Sequence, residues 1–148
     1  MTNTIKLKSY KKEFEYSYAS GAYATIELLK TRPELLDCVY IHSDYRDTDG
    51  ITALCKAKQV PCVQSDKAFS SVNQKENSLV LGVFRKYEST LSDNEPHVVL
   101  VKPSDMGNLG TIIRTMIGMN VKNLAVIEPA ADIWNPKTVR ASMGALFH

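Results

Sequence analysis

The sequence predicts an α/β layered protein, and three observations carry that prediction. Along the first half of the chain, short apolar runs with strand character alternate with segments of helical periodicity, giving strand, helix, strand, helix, strand, helix, strand. Farther on, His97 to Met119 passes from an apolar run, HVVLV, through a glycine-containing loop into a helical pattern. Between these two parts lies Glu88 to Pro96, ESTLSDNEP, a polar stretch closed by proline and the natural place for a domain boundary. The expected division is 1–90 for a small α/β domain and 91–148 for the second part.

Each element has a local reason. Phe14, Tyr16 and Tyr18 alternate with Glu13, Glu15 and Ser17, the period of a strand with one buried face. Gly21 breaks that period. Ala22, Ile26 and Leu29, helped by Tyr23, then recur at helical spacing until Arg32-Pro33, where the residue before proline is driven out of the helical region. The tyrosines 16, 18 and 23 are expected as core or half-core residues. Leu35 to Ile41 reads as a buried strand, Gly50 to Lys58 as a helix, and Val60 to Val63 as a short strand. Ser65 and Asp66 cap a further helix to about Val72, and Ser78 to Phe84 supplies another strand.

Composition excludes more than it selects. The 148 residues are 44% hydrophobic and 23% charged, an ordinary globular balance with room for one good core or two small ones. A formal charge of +2 permits nucleic-acid binding without demanding it. No apolar run has the length of a membrane span and the amino terminus lacks a signal-peptide core, so a cytoplasmic protein is expected. Cys38, Cys55 and Cys62 lack C-x-x-C spacing, and His42, His97 and His148 are scattered. Reduced, buried thiols are expected and a structural metal site is not.

The chemistry concentrates in two stretches. In KPSDMGNLGTIIRTMIGM, Lys102 to Met119, the residues Ile112, Ile113, Met116 and Ile117 share one helical face, while Gly110, Arg114 and Gly118 form an i, i+4 row expected to point away from the core. Glycines on either side of Arg114 leave room for a backbone or ligand, and the nearby helix N-terminus offers N–H donors to an anion. A dinucleotide site fits less well: the G-x-G-x-x-G spacing is absent, and Glu128, at the end of the next strand, is followed directly by Pro129. In NPKTVRASMGALFH, Asn135 and Pro136 make a helix N-cap and first-turn pair, after which Val139, Met143 and Leu146 form an apolar seam with Arg140 and Gly144 off it. Trp134, just before the cap, is expected to be a packing anchor. Near the amino terminus, Lys6, Lys8, Lys11 and Lys12 occur without an acid among them, a solvated face or a set of RNA phosphate contacts.

Taken together, GNLGTIIRT and NPKTVRASMGALFH closely resemble the first and second motifs of the SpoU family of RNA ribose 2′-O-methyltransferases, within the SPOUT superfamily. The resemblance covers about residues 97–148, with both motifs in the family's order and spacing. One departure stands in the first motif, where the family commonly reads Asp-Pro-Gly-Asn and this chain reads Ser104-Asp105-Met106-Gly107-Asn108. The front half is similar, less closely, to the ribosomal-protein-like RNA-binding domain that many SpoU enzymes carry. The phrase Tyr16 to Ile26, YSYASGAYATI, matches its strand-to-helix entry, with Ser20 where an acid is usual.

The resemblance implies methyl transfer from S-adenosylmethionine to a ribose 2′-hydroxyl of rRNA or tRNA, by a homodimer. Arg114 is the implied catalytic residue. A guanidinium with a pKa above about 12 is a poor base, so its expected role is to anchor a phosphate and stabilise developing oxygen charge. Asn108 is expected to orient the hydroxyl or order the loop, and Arg140, Ser142 and Gly144 to border the cofactor and the dimer contact. The family's third motif, which threads a deep trefoil knot around the cofactor, lies beyond the second; without it the chain is expected to be inactive alone and to leave apolar surface uncovered beyond Val121. Two other readings stay open: a non-catalytic RNA-binding module derived from such an enzyme, and a phosphate- or dinucleotide-binding enzyme using the loop from Gly107 to Gly110.

Overall fold

The structure is a computed structural model that describes residues 6–72 and 78–148. Its first part is a four-stranded sheet built from β1 (Tyr16–Ser20), β2 (Leu36–Ile41), β3 (Cys62–Gln64) and β4 (Val80–Arg85), in the order β1-β4-β2-β3. Only β2 and β3 run parallel; β4 lies antiparallel to both β1 and β2. Helices α1 (Ala22–Thr31), α2 (Thr48–Ala57) and α3 (Asp66–Val72) connect the strands. A second, two-stranded parallel sheet joins β5 (His97–Val101) to β6 (Asn123–Ile127), with α4 (Met106–Gly118) as its crossover. A short α5 (Pro136–Ala141) and a 3-10 turn, Ala145–Phe147, complete the described elements. The alternation read from the sequence is therefore present, with element ends shifted by one or two residues.

The front sheet is held by one large apolar cluster and one small one. The large cluster joins Ala19, Leu28, Leu29, Val39, Ile41, Ile51, Val80 and Phe84 to Val139 and Phe147 from the carboxy-terminal segment. Residues from both sides of residue 90 thus share one core. Phe147 meets Phe84 edge to face at 5.2 Å, and Trp134 packs against Tyr87 at 4.8 Å and Phe84 at 6.0 Å, the anchoring role its position suggested. The Tyr87 hydroxyl donates to the Leu146 carbonyl at 2.9 Å, and Arg32 lies over the Tyr87 ring at 4.7 Å. Buried Asn123 holds the connecting stretch, accepting from Ser92 N–H at 2.7 Å and donating to Glu95 at 3.0 Å.

Four local expectations are corrected. The alternation in β1 predicted one buried face, yet Ser17, Tyr18, Ala19 and Ser20 are all buried. Tyr18 packs with Tyr40, Leu81 and Val83 on one side, while the other side takes the carboxy-terminal segment, and the Ser17 hydroxyl donates to the Trp134 carbonyl. Tyr23 was expected inside and is 57% exposed. The row Gly110, Arg114, Gly118 does not lie wholly outside: Gly110 is buried under α5, and the other two are exposed. The seam Val139, Met143, Leu146 does not persist either, because α5 ends at Ala141 and Gly144 turns the chain at φ 80°. Phe147, not Met143, fills the core.

The smaller sheet leaves one face uncovered. Parallel register pairs Val99 with Ala125 and Val101 with Ile127, and on this face Val99, Val101 and Ile127 are all exposed, Val101 at 67%. Parallel sheets normally bury both faces. Among the described residues, no helix is long and apolar enough to cross a membrane.

Candidate functional site

Helix α4 positions the first motif. The Asp105 side chain caps it, accepting from the Asn108 N–H at 2.7 Å. Asn108 and Arg114 are exposed along the helix while Leu109, Ile113 and Met116 hold it to the core. The cap was legible as an acid three residues ahead of Asn108 but went unassigned in the sequence reading.

Helix α5 positions the second motif and lies directly on α4. Its N-cap is the expected one: the Asn135 side chain accepts from Lys137 N–H at 2.9 Å, with Pro136 in the first turn. The close approach falls at Gly110, where an added Cβ would sit 2.5 Å from Ala141 Cβ and 2.6 Å from the Thr138 carbonyl oxygen. The segment then turns at Gly144, against α1, with a would-be Cβ 2.5 Å from Glu27 Cβ. The tight packing of two glycines thus brings the two motifs and the first helix of the front sheet together.

A shallow cleft of about 180 Å³ opens at this junction, lined by Tyr23 and Glu27 of α1, Arg114 and Ile117 of α4, and Ser142 and His148 of the last segment. The Glu27 carboxylate lies 3.4 Å from His148 Nε2. Of the residues singled out from sequence, the cleft gathers Arg114 and Ser142; Tyr23, Glu27 and His148 were missed in this role because no local period reports a meeting of α1 with the chain's last turn. Ser142 is buried, and its hydroxyl donates to the Val139 carbonyl at 2.7 Å. Gly144 is filled against Glu27, and Arg140 is exposed on α5.

A cofactor the size of S-adenosylmethionine needs more than this. Pockets that enclose drug-sized ligands run to about 300–1,000 Å³, and the cleft is smaller and open. The hydroxyl of Ser142 is spent on backbone. Among the described residues there is no cradle fitted to that group, and no three His, Cys, Asp or Glu side chains group as a metal site.

The lysine run forms a strap, residues 6–12, beside the loop from Glu128 to Asp132. Lys6, Lys8, Lys11 and Lys12 are exposed, and Lys12 reaches Glu128 at 4.0 Å. The strap is pinned by the Tyr10 hydroxyl, which donates to Asp132, and by Lys86, which donates to the Lys12 carbonyl at 2.7 Å and lies 4.9 Å from the Tyr10 ring. Burial and the Asp132 carboxylate push the Tyr10 phenol well above its ordinary range. Tyr10 is therefore a neutral donor that ties the strap to the loop before α5.

The cysteines are less scattered than their spacing implied. The Cys55 thiol of α2 and the Cys62 thiol of β3 share one proton, which favours the thiolate at Cys62 and holds the thiol at Cys55, while burial pushes Cys38 up to about 11. Alkylation of Cys62 by iodoacetamide is expected to set in at lower pH than that of Cys38, whose thiolate forms only at far more alkaline pH; peptide mapping of the labelled chain checks the order. Equal labelling of both at pH 7 would contradict it.

The family match falls on this same region. Residues 95–148, which include α4, β6 and α5, match the SpoU rRNA Methylase family model. Over this segment the chain is similar to the SpoU rRNA methylases. The chain is 42% identical over 50 residues to the 23S rRNA (uridine(2479)-2'-O)-methyltransferase of Streptomyces viridochromogenes, covering 34% of this chain and 17% of that protein. It is 32% identical over 85 residues to the 23S rRNA (guanosine(2553)-2'-O)-methyltransferase RlmP of Bacillus subtilis, covering 57% and 34%. The fold extends the likeness beyond the SpoU segment. An rRNA methyltransferase from Sinorhizobium meliloti superposes with TM-score 0.70 at 24% identity over 91% of this chain and 53% of its own. The SpoU methyltransferase AviRb of Streptomyces viridochromogenes, in complex with the cofactor AdoMet, gives TM-score 0.72 at 18% identity over 90% and 51%. The chain thus spans about half the length of these solved relatives and 17% and 34% of the two curated ones.

Proposed function

We propose that this chain is the RNA-holding and first catalytic portion of a ribose 2′-O-methyltransferase acting on rRNA or tRNA. The observation that carries the reading is the pairing of the two SpoU motifs: GNLGTIIRT on α4 presents Arg114 to solvent, and α5, with the second motif, packs on the same helix at Gly110. In this reading residues 1–90 form a ribosomal-protein-like substrate domain, 91–148 form the amino-terminal part of a knotted SPOUT domain, and the enzyme works as a cytoplasmic homodimer without metal.

Roles follow from residue chemistry. Arg114, permanently charged and exposed, anchors the phosphate beside the target ribose and stabilises charge developing on its oxygen. Asn108, on the exposed first turn of α4, orients the hydroxyl. Lys6, Lys8, Lys11 and Lys12 meet the RNA backbone, where displaced counterions make the affinity salt-dependent. Arg140, Ser142 and Gly144 border the cofactor. S-adenosylmethionine supplies the activated methyl group when bound; the described residues hold no cleft that encloses it.

The reading is tested by titrating a short single-stranded RNA, and separately S-adenosylmethionine, into the 148-residue chain. Salt-dependent RNA binding is expected, about ten-fold weaker in Arg114→Ala, on the scale of a hydrogen bond to a charged group, with no saturable cofactor binding. Failure to bind RNA would sink the reading. Saturable cofactor binding, or methyl transfer by these residues alone, would sink the claim of an incomplete cofactor site. The small cleft also favours a second reading, an RNA-binding module without catalysis; addition of methyl groups to RNA by a longer form of this chain, lost in Arg114→Ala, would exclude it.

A further inference from the structure

We infer that Tyr23 and Glu27 form a nucleobase-recognition face beside Arg114, taking one unpaired base of the RNA, guanine in preference to uracil. The inference rests on the RNA reading above and goes beyond it, since it assigns base recognition to the front part of the chain.

Geometry supplies the first step. Tyr23 and Glu27 are i, i+4 neighbours on α1, so their side chains share one helical face, and both line the cleft that Arg114 enters from α4. Tyr23 is 57% exposed, which is unusual for a large aromatic on a helix whose other apolar residues, Ala24, Leu28 and Leu29, are buried. An exposed ring at the mouth of a cleft is a stacking platform, and every base has a face to offer it.

Chemistry supplies the second step. Glu27 is fixed by the close approach of Gly144 to its Cβ and by His148 Nε2 at 3.4 Å from Oε2. A carboxylate accepts hydrogen bonds only. Guanine offers it two adjacent N–H donors on its Watson–Crick edge, whereas uracil offers one N–H flanked by two carbonyls that repel it. Arg114 lines the same cleft, so the guanidinium is available to a phosphate next to a base stacked on Tyr23 with its donor edge toward Glu27. The cleft, too small for a whole cofactor, holds a base ring partly covered.

The experiment uses fluorescence anisotropy with three labelled strands: a uridine-rich single-stranded RNA carrying guanosine at its centre, the same strand with uridine there, and the same strand with an abasic site. The guanosine strand is expected to bind about ten-fold tighter than the abasic one, the scale of one base–aromatic stack. Tyr23→Ala should bring the guanosine strand to the abasic level without weakening the abasic strand, and Tyr23→Phe should keep the difference. Glu27→Gln should remove the preference for guanosine over uridine. Equal loss on all strands in Tyr23→Ala, or no loss, overturns the stacking role; a guanosine preference that survives Glu27→Gln overturns the acceptor role. If the unaltered chain binds all three strands alike and loses them in Arg114→Ala, this inference fails while the RNA reading stands; if it binds none, both fail.

Discussion

Phe147→Ala is expected to lower the unfolding free energy by about 3–5 kcal/mol, the cost of truncating a buried phenylalanine. Phe147 is 1% exposed although it lies one residue from the end of the chain, and it meets Phe84 edge to face at 5.2 Å in the middle of the front sheet. Total stabilities run to about 5–15 kcal/mol, so the loss is a large fraction. Urea unfolding followed by near-ultraviolet and far-ultraviolet dichroism checks the size. It also checks a structural point. Because Val139 and Phe147 share a core with Ala19, Leu28 and Phe84, both signals should move together in one transition, in the parent and in the variant. A loss below about 0.5 kcal/mol, the ordinary range for surface sites, would mean that the last turn does not seat in the core. Two separated transitions would mean that the parts before and after residue 90 fold independently.

What the sequence revealed was what local period and end chemistry encode. β2, β4 and α4 were legible because their apolar residues recur at the spacing of their own element, and α5 because Asn135 and Pro136 mark its start. What stayed hidden depends on contacts between distant segments. Ser17 looked like part of the second, quiet face of β1, and nothing near it reports that Trp134 and Phe147 will cover that face. Tyr23 matched a helical apolar stripe, yet the ring faces outward because Ala24, Thr25, Leu28 and Leu29 already fill the buried face of α1. Gly144 was noted as lying off the seam, but its positive φ and its contact with Glu27 arise only when the last turn meets α1. The candidate site followed the same division: Arg114 came from its motif, whereas Glu27 and His148 came from topology.

Gly110→Ala and Gly118→Ala are expected to act in opposite directions although both place alanine in the same helix. In isolation the exchange should stabilise a helix by up to about 1 kcal/mol, since glycine gives up more backbone freedom on folding. At Gly118 an added Cβ meets nothing within 4 Å, so a gain of at most that size should appear, trimmed because the position is the last of α4. At Gly110 the same methyl would lie 2.5 Å from Ala141 Cβ, 2.6 Å from the Thr138 carbonyl oxygen and 2.8 Å from the Ser142 nitrogen. Two of these are backbone atoms and the third is a Cβ, so no flexible side chain can swing aside; α5 must move as a body. Overpacking of this kind costs about 1–3 kcal/mol, occasionally more, which outweighs the helical gain and leaves Gly110→Ala about 2 kcal/mol less stable. Moving α5 also carries Ser142 and Gly144 away from α1, so the cleft beside Arg114 should open, and RNA affinity should fall in Gly110→Ala under conditions where the variant is still folded. Thermal unfolding of the two variants side by side, with RNA binding measured well below both midpoints, tests the chain of causes. Equal stability in the two variants would show that α4 and α5 do not approach at Gly110, and with that contact the joining of the two motifs into one site would go.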